Sequence, residues 1–180
     1  MKHLIATVLL VAMAGLSAYA QNFTLKSNEL GGQLTNKQYF NGFGYNGENQ
    51  SPQLSWTDAP AGTQSFAVTM YDLDAPTGSG FWHWVVFNIP ADVHEIKSGA
   101  GDVKKNLMPA GVIQSKTDFG VPGYGGAAPP AGPVHRYLIT VYALSKKLEL
   151  NADVSPALVG FNIHFATLAQ ASIVVCAQHK

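Results

Sequence analysis

Ser65-Phe66-Ala67-Val68-Thr69-Met70-Tyr71-Asp72 and, after a short loop, Trp82-His83-Trp84-Val85-Val86-Phe87-Asn88-Ile89 form the stretch whose reading decides the fold. The first segment is a strong strand candidate that places Phe66, Val68 and Met70 on one face. The second is mostly apolar, which fits a strand buried on both faces. Working outward, Arg136 to Leu144 alternates and is rich in Tyr, Ile and Val, so it reads as a third long strand. Phe23 to Ser27 is a short alternating segment, and Gln53-Leu54-Ser55-Trp56 interrupts an otherwise loop-rich region from 41 to 62. Ser155-Pro156 supplies a cap residue followed by proline at the first helical position. That start predicts a helix running to about Ala169, with a last strand over Ala171 to Ala177. Strands recur through the chain while helix enters mainly near its end. The pattern is a mainly β, mostly antiparallel fold with a C-terminal helix, not a βαβ wind.

Composition narrows the function classes. The chain has 180 residues, 47% of them hydrophobic and 12% charged, with eleven basic residues against eleven acidic. That length suits a single domain with a core of its own, and the low charge argues against disorder. Zero formal charge removes a general nucleic-acid binder, which needs a basic excess.

The N-terminus is read separately from the fold. Met1-Lys2-His3, the apolar run Leu4 to Leu16 and Ala18-Tyr19-Ala20 follow the grammar of a secretory signal peptide. The apolar run is short of the ~20 residues that span a bilayer. Cleavage after Ala20 is expected, leaving residues 21–180 as one domain in the periplasm or outside the cell, with no transmembrane segment. The single cysteine, Cys176, excludes an internal disulfide, and Ser172 to Cys176 reads as a buried strand with the thiol in the core.

Familiar catalytic motifs fail on context. Gly42-Phe43-Gly44-Tyr45-Asn46-Gly47 matches G-x-G-x-x-G, but Glu48-Asn49-Gln50-Ser51-Pro52 cannot open the required helix, so the segment reads as a loop. There is no nucleophile elbow, no H-E-x-x-H and no Walker loop. Two other segments carry the chemistry. Asp72 and Asp74 lie two apart at a strand end, a spacing that lets both carboxylates point to one side. His83 opens the next strand between two tryptophans. Gly125-Gly126-Ala127-Ala128-Pro129-Pro130 leads to His135-Arg136-Tyr137, in which His135 and Tyr137 share a face and Arg136, the only arginine, takes the other. Taken singly, the acids cap a turn, His83 is a core histidine and Tyr137 packs a strand. Taken together they suit a small anion site, with imidazole, phenol and backbone amides donating while the acids orient the imidazoles.

These residues resemble the phosphatidylethanolamine-binding, or Raf kinase inhibitor, protein family. The markers are Asp72-Leu73-Asp74-Ala75-Pro76, Trp82-His83-Trp84 with Val85 to Pro90, and Pro129-Pro130 leading to His135-Arg136-Tyr137. Asn49-Gln50-Ser51-Pro52-Gln53-Leu54-Ser55-Trp56 looks like the family's earlier loop-strand signature. The signal peptide and compact length are similar to the bacterial branch. The resemblance implies a large antiparallel sheet packed on a smaller one, sandwich-like, with helix near the C-terminus. It implies an anion pocket built from Asp72, Asp74, His83, His135 and Tyr137, with Gly126 in the lining loop. The family binds phosphate-like and carboxylate anions there, including phosphorylated headgroups.

The chain departs from the pattern at Leu73, where proline is usual, and at Ala128, where glycine is common. A positive φ at Ala128 would strain its Cβ. The C-terminal tyrosine of animal members has no clear counterpart, since the chain ends Gln178-His179-Lys180. The expectation is an exported module that binds a small anionic ligand, with no catalysis, metal or cofactor. The alternatives are a metal-assisted or acid–base hydrolase using the Asp/His cluster, and a protein-interaction inhibitor of a kinase or protease.

Overall fold

The computed structural model describes residues 23–179; the expected signal peptide lies outside the described residues. In chain order the elements are β1 Thr24–Lys26, β2 Asn41–Gly42, β3 Tyr45–Asn46, β4 Leu54–Thr57, β5 Ser65–Asp72, β6 Phe81–Pro90, β7 Glu95–Ile96, β8 Ile113–Gln114, β9 His135–Leu144, α1 Pro156–Ala166 and β10 Thr167–Ala177. A single-turn 3₁₀ helix covers Val103–Lys105.

The expected β architecture is the one observed. An antiparallel five-stranded sheet runs β10-β9-β5-β6-β8, and a smaller sheet runs β1-β4-β7. Alternation along β5 sorts its residues between two cores. Phe66, Val68 and Met70 meet Leu25, Leu54 and Trp56 of the small sheet, with the Trp56 and Phe66 rings 5.3 Å apart. Ala67 joins Val85 and Phe87 of β6 against Val159, Ile163 and Ala166 of α1. The large sheet is therefore the middle of three layers, which is why β5 and β6 are buried on both faces.

Helix α1 starts where the sequence indicates. Ser155 Oγ accepts from the Leu158 amide at 3.3 Å, and Pro156 takes the first helical position. It ends at Ala166, three residues before the expected end. Ser145, just past β9, donates its backbone N–H and hydroxyl to the Ala166 carbonyl at 2.8 and 3.1 Å, and Thr167 turns to extended backbone to pair with Leu144. Residues 156–169 are apolar on nearly every side, with Phe161 and Phe165 exposed, so periodicity holds no stop signal.

Two further expectations are corrected. Cys176 is half-buried, not a core residue, because alternation along β10 turns Val175 and Ala177 into the core and Cys176 to the outer face, in register with the outward Arg136. The glycine-rich 42–47 segment is the β2–β3 hairpin, turned at Phe43 (φ 54°) and Gly44 (φ 87°), both left-handed as a two-residue hairpin turn favours.

Candidate anion site

The site lies at one end of the large sheet, where three neighbouring strands bring their ends together. β5 finishes at Asp72, between the start of β9 at His135 and the start of β6 at Phe81, and Asp72 pairs in register with Tyr137. Between β5 and β6 the pairing steps from Met70–Trp84 to Tyr71–Trp82, so His83 is the extra residue of a β-bulge. Bulges re-aim side chains, and this one delivers His83 to the glycine loop. Its Nδ1 lies 2.9 Å from the Gly125 carbonyl oxygen and 3.1 Å from that of Gly126, while the Gly125 amide donates back to the His83 carbonyl at 2.8 Å.

His135 and Tyr137 point inward from β9 and Arg136 outward, as alternation requires. His135 Nδ1 sits 2.8 Å from Asp72 Oδ2, and the other Asp72 oxygen accepts the Asp74 amide at 2.9 Å. Asp72, His83, His135 and Tyr137 are 3%, 3%, 1% and 0% exposed. The Tyr137 and His83 rings meet edge-on at 5.1 Å. The Tyr137 hydroxyl lies close enough to Asp72 for the carboxylate to act on it, yet no hydrogen bond of ordinary geometry joins it to a group among the described residues. Neither imidazole Nε2 has a hydrogen-bond partner among the described residues.

Asp74 does not join this group. Its carboxylate grips the outward Arg136, with Nε at 2.9 Å and Nη2 at 2.7 Å, and accepts the Arg136 amide at 2.8 Å. The expectation that both carboxylates face one side fails because β5 ends at Asp72, and the chain bends through Leu73 and Asp74. The two acids have separate tasks: Asp72 orients His135 inside, and Asp74 fastens the strand end outside. The Arg136 hydrogen bonds hold the Asp74 carboxyl down at about 2.

Burial lowers the proton affinity of His83, against the opposing pull of the carbonyl hydrogen bonds and of Asp72 and Asp118. Burial, and then the Asp72 charge, raises that of the Tyr137 phenol, so it stays a protonated donor.

Gly126 packs directly against the backbone of residues 38–40. A Cβ there would stand 2.5 Å from Gln38 O, Phe40 N and Tyr39 C. This close approach lets Phe40 donate to the Ala127 carbonyl and Ala127 to that of Gln38. Ala128 has no positive φ, so its Cβ brings no backbone strain.

Several contributors were not singled out from sequence. Asn49, in left-handed backbone, accepts the Gly126 amide at 2.7 Å, and its φ of 50° is the kind asparagine tolerates. Phe119 packs against His83 and Phe81, and the Tyr45 hydroxyl holds the Pro129 carbonyl. Tyr45 of the β2–β3 hairpin also stacks on Tyr39 and touches His179, which together form an aromatic wall. Burial, with Tyr39 adding, pushes the Tyr45 phenol up to about 12. Two open clefts share residues with this surround. One of about 720 Å³ includes Tyr39, Tyr45 and Cys176. The other, about 670 Å³, includes Phe40, Phe119 and Gly125. Among the described residues, no three His, Cys, Asp or Glu side chains are grouped to hold a metal ion. No helix among them is long and apolar enough to cross a membrane.

This strand-end arrangement lies within a matched family model. The model of the phosphatidylethanolamine-binding protein covers residues 25–178, which includes every site residue. The chain belongs to the phosphatidylethanolamine-binding protein family. Among relatives of this family member, UPF0098 protein YbhB of Escherichia coli is 55% identical over 152 residues, covering 83% of this chain and 96% of YbhB. UPF0098 protein YbcL of the same organism is 46% identical over 177 residues, covering 96% of each. The crystal structure of E. coli YbcL, a new member of the mammalian PEBP family, superposes with a TM-score of 0.85, covering 88% of this chain and 99% of that one. A putative homologue from Chlamydia trachomatis, CT736, shares the fold at 23% identity and a TM-score of 0.74, covering 89% of this chain and 99% of its own.

Proposed function

We propose that this family member is an exported binding module for a small oxyanion, such as a phosphorylated headgroup, held between His83, His135 and Tyr137. The observation that carries the reading is the Tyr137 hydroxyl. It is buried and makes no hydrogen bond of ordinary geometry among the described residues; its ring meets His83, fixed by carbonyls, and it shares the inner face of β9 with His135, fixed by a carboxylate. A buried hydroxyl without a partner costs about 1–3 kcal/mol, which a bound acceptor would recover. The reading is binding and not catalysis. Tyr137, the hydroxyl in the cluster, is held protonated and so acts as a donor, not a nucleophile. Export rests on Leu4 to Leu16 followed by Ala18-Tyr19-Ala20, and the intact mass of periplasmic protein should match a start at Gln21.

The test is calorimetry with O-phosphoethanolamine. His135→Ala removes a buried charge-assisted contact and should weaken binding by about 1.5–3 kcal/mol, roughly 10- to 160-fold. Lys146→Ala, on the exposed turn after β9, should leave affinity unchanged. Equal affinity for His135→Ala and the unaltered protein would show that the cluster only packs the sheet end.

A further inference from the structure

The hydrogen bonds of the two imidazoles determine which nitrogen carries the proton. His83 Nδ1 faces two carbonyl oxygens, and carbonyls only accept, so that nitrogen bears hydrogen. His135 Nδ1 faces a carboxylate oxygen of Asp72, whose other oxygen is occupied by the Asp74 amide, so it too is a donor. In a neutral ring the remaining nitrogen then carries a lone pair. Both Nε2 atoms are therefore acceptors until their rings gain a second proton. The one unpartnered donor hydroxyl in the cluster is Tyr137. A fully deprotonated anion entering here meets one hydroxyl, two lone pairs and the Asp72 charge.

We propose that the site selects oxyanions that enter with a proton, phosphate monoesters in their hydrogen-bearing form, over permanently deprotonated isosteres such as sulfate monoesters. The proton is shared with Nε2 of His83 or His135. The inference rests on the anion-binding reading above and specifies the ligand's ionic form.

The charged and titratable surroundings are consistent with it. Asp72 from β5 and Asp118 from the loop after β8 are the acids whose charge reaches His83. Tyr137 faces it from β9, and Tyr39 and Tyr45 approach Tyr137 from the hairpin side. Asp74 and Arg136 neutralise one another outside, where His135 also acts on Asp74. Burial outweighs these acids at His83, so the ring waits neutral and acquires its proton with the ligand.

O-phosphoethanolamine and ethanolamine O-sulfate provide a matched pair. In the proposed bound form each oxyanion group carries one negative charge, and they differ by the P–OH hydrogen. At pH 7.5 the phosphate ester is a dianion in solution, since its second ionisation lies near 6, so binding must take up about one proton per ligand. Calorimetry in buffers of different ionisation enthalpy measures that number. We expect uptake close to one and a sulfate ester bound at least ~100-fold more weakly, because a site that hydrogen-bonds a ligand hydrogen rejects the analogue lacking it. Affinities within a few-fold of each other, or phosphate-ester binding without proton uptake, overturn the inference while leaving anion binding intact. Failure of both ligands to bind refutes the anion-binding reading itself.

A second arm does not depend on affinity. Nitrogen-15 NMR of the ligand-free protein should show both histidines protonated at Nδ1, and an Nε2–H form of His135 overturns the inference. In Asp72→Asn the amide N–H can donate to His135 Nδ1, moving its hydrogen to Nε2. That variant should gain sulfate-ester affinity relative to phosphate ester by ~10-fold or more, and no relative gain counts against the tautomer argument.

Discussion

Replacing Gly126 with alanine tests how the glycine loop is positioned. The new methyl would sit 2.5 Å from three backbone atoms of residues 38–40, where ordinary contact begins at 3.4 Å, so the two segments must part by about 1 Å. Forcing such overpacking costs about 1–3 kcal/mol. The separation also strains two backbone hydrogen bonds, Phe40 N–H to Ala127 O at 2.9 Å and Ala127 N–H to Gln38 O at 3.1 Å. Losing both adds about 1–3 kcal/mol. The total is on the order of 4 kcal/mol, which for a domain of this size lowers the melting temperature by about 8–16 °C. Scanning calorimetry or urea unfolding reads this directly. Gly31→Ala is the control, since nothing lies within 4 Å of its Cβ position, and it should stay within ~0.5 kcal/mol of the unaltered protein. The Gly126 carbonyl also accepts from His83, so ligand binding should weaken in Gly126→Ala. A Gly126→Ala protein that melts within 2 °C of the unaltered one, roughly the effect of 1 kcal/mol at most, refutes the close-approach reasoning.

Gly160 lies inside α1 with open space around its Cβ position, so Gly160→Ala should raise unfolding free energy by about 0.5–1 kcal/mol, and unchanged urea unfolding contradicts this. Acid should destabilise the protein in two legs. Burial depresses His83, so the unfolded chain binds more protons once pH falls through its ordinary value near 6.5; stability present above that value is progressively lost below it, and His83→Gln should flatten this leg. Asp74 is depressed to about 2 by Arg136, so its contribution, under ~1 kcal/mol for so exposed a pair, is present above about pH 4 and lost as pH falls through 2; urea midpoints of Asp74→Asn should be flatter there.

Local chemistry made much of this fold legible in the sequence. Ser65–Asp72 is β5 to the residue, because side-chain alternation and β-branched content act over a few positions. The start of α1 is equally local: the Ser155 hydroxyl reaches an amide three residues on, and Pro156 presets the first turn. The chemical types at the site were readable too, since two acids, two histidines and a tyrosine beside a glycine loop are uncommon company. The division of labour among them depended on residues far apart in the chain. Alternation stops where β5 ends, so whether Asp74 faced His135 or Arg136 was decided by the strand that came to lie alongside. The same holds for the end of α1, stopped by Ser145, and for the bulge that delivers His83. Gly126 is glycine because residues 38–40 pass against it, and Asn49 matters because Gly126 needs an acceptor. Sequence by itself determined the backbone of β5 and the start of α1, since those energies arise within a turn or a pleat. Which side chain meets which at the site was left to tertiary structure, because hydrogen bonds and contacts of about 3 Å between distant segments exist only after the sheet has closed.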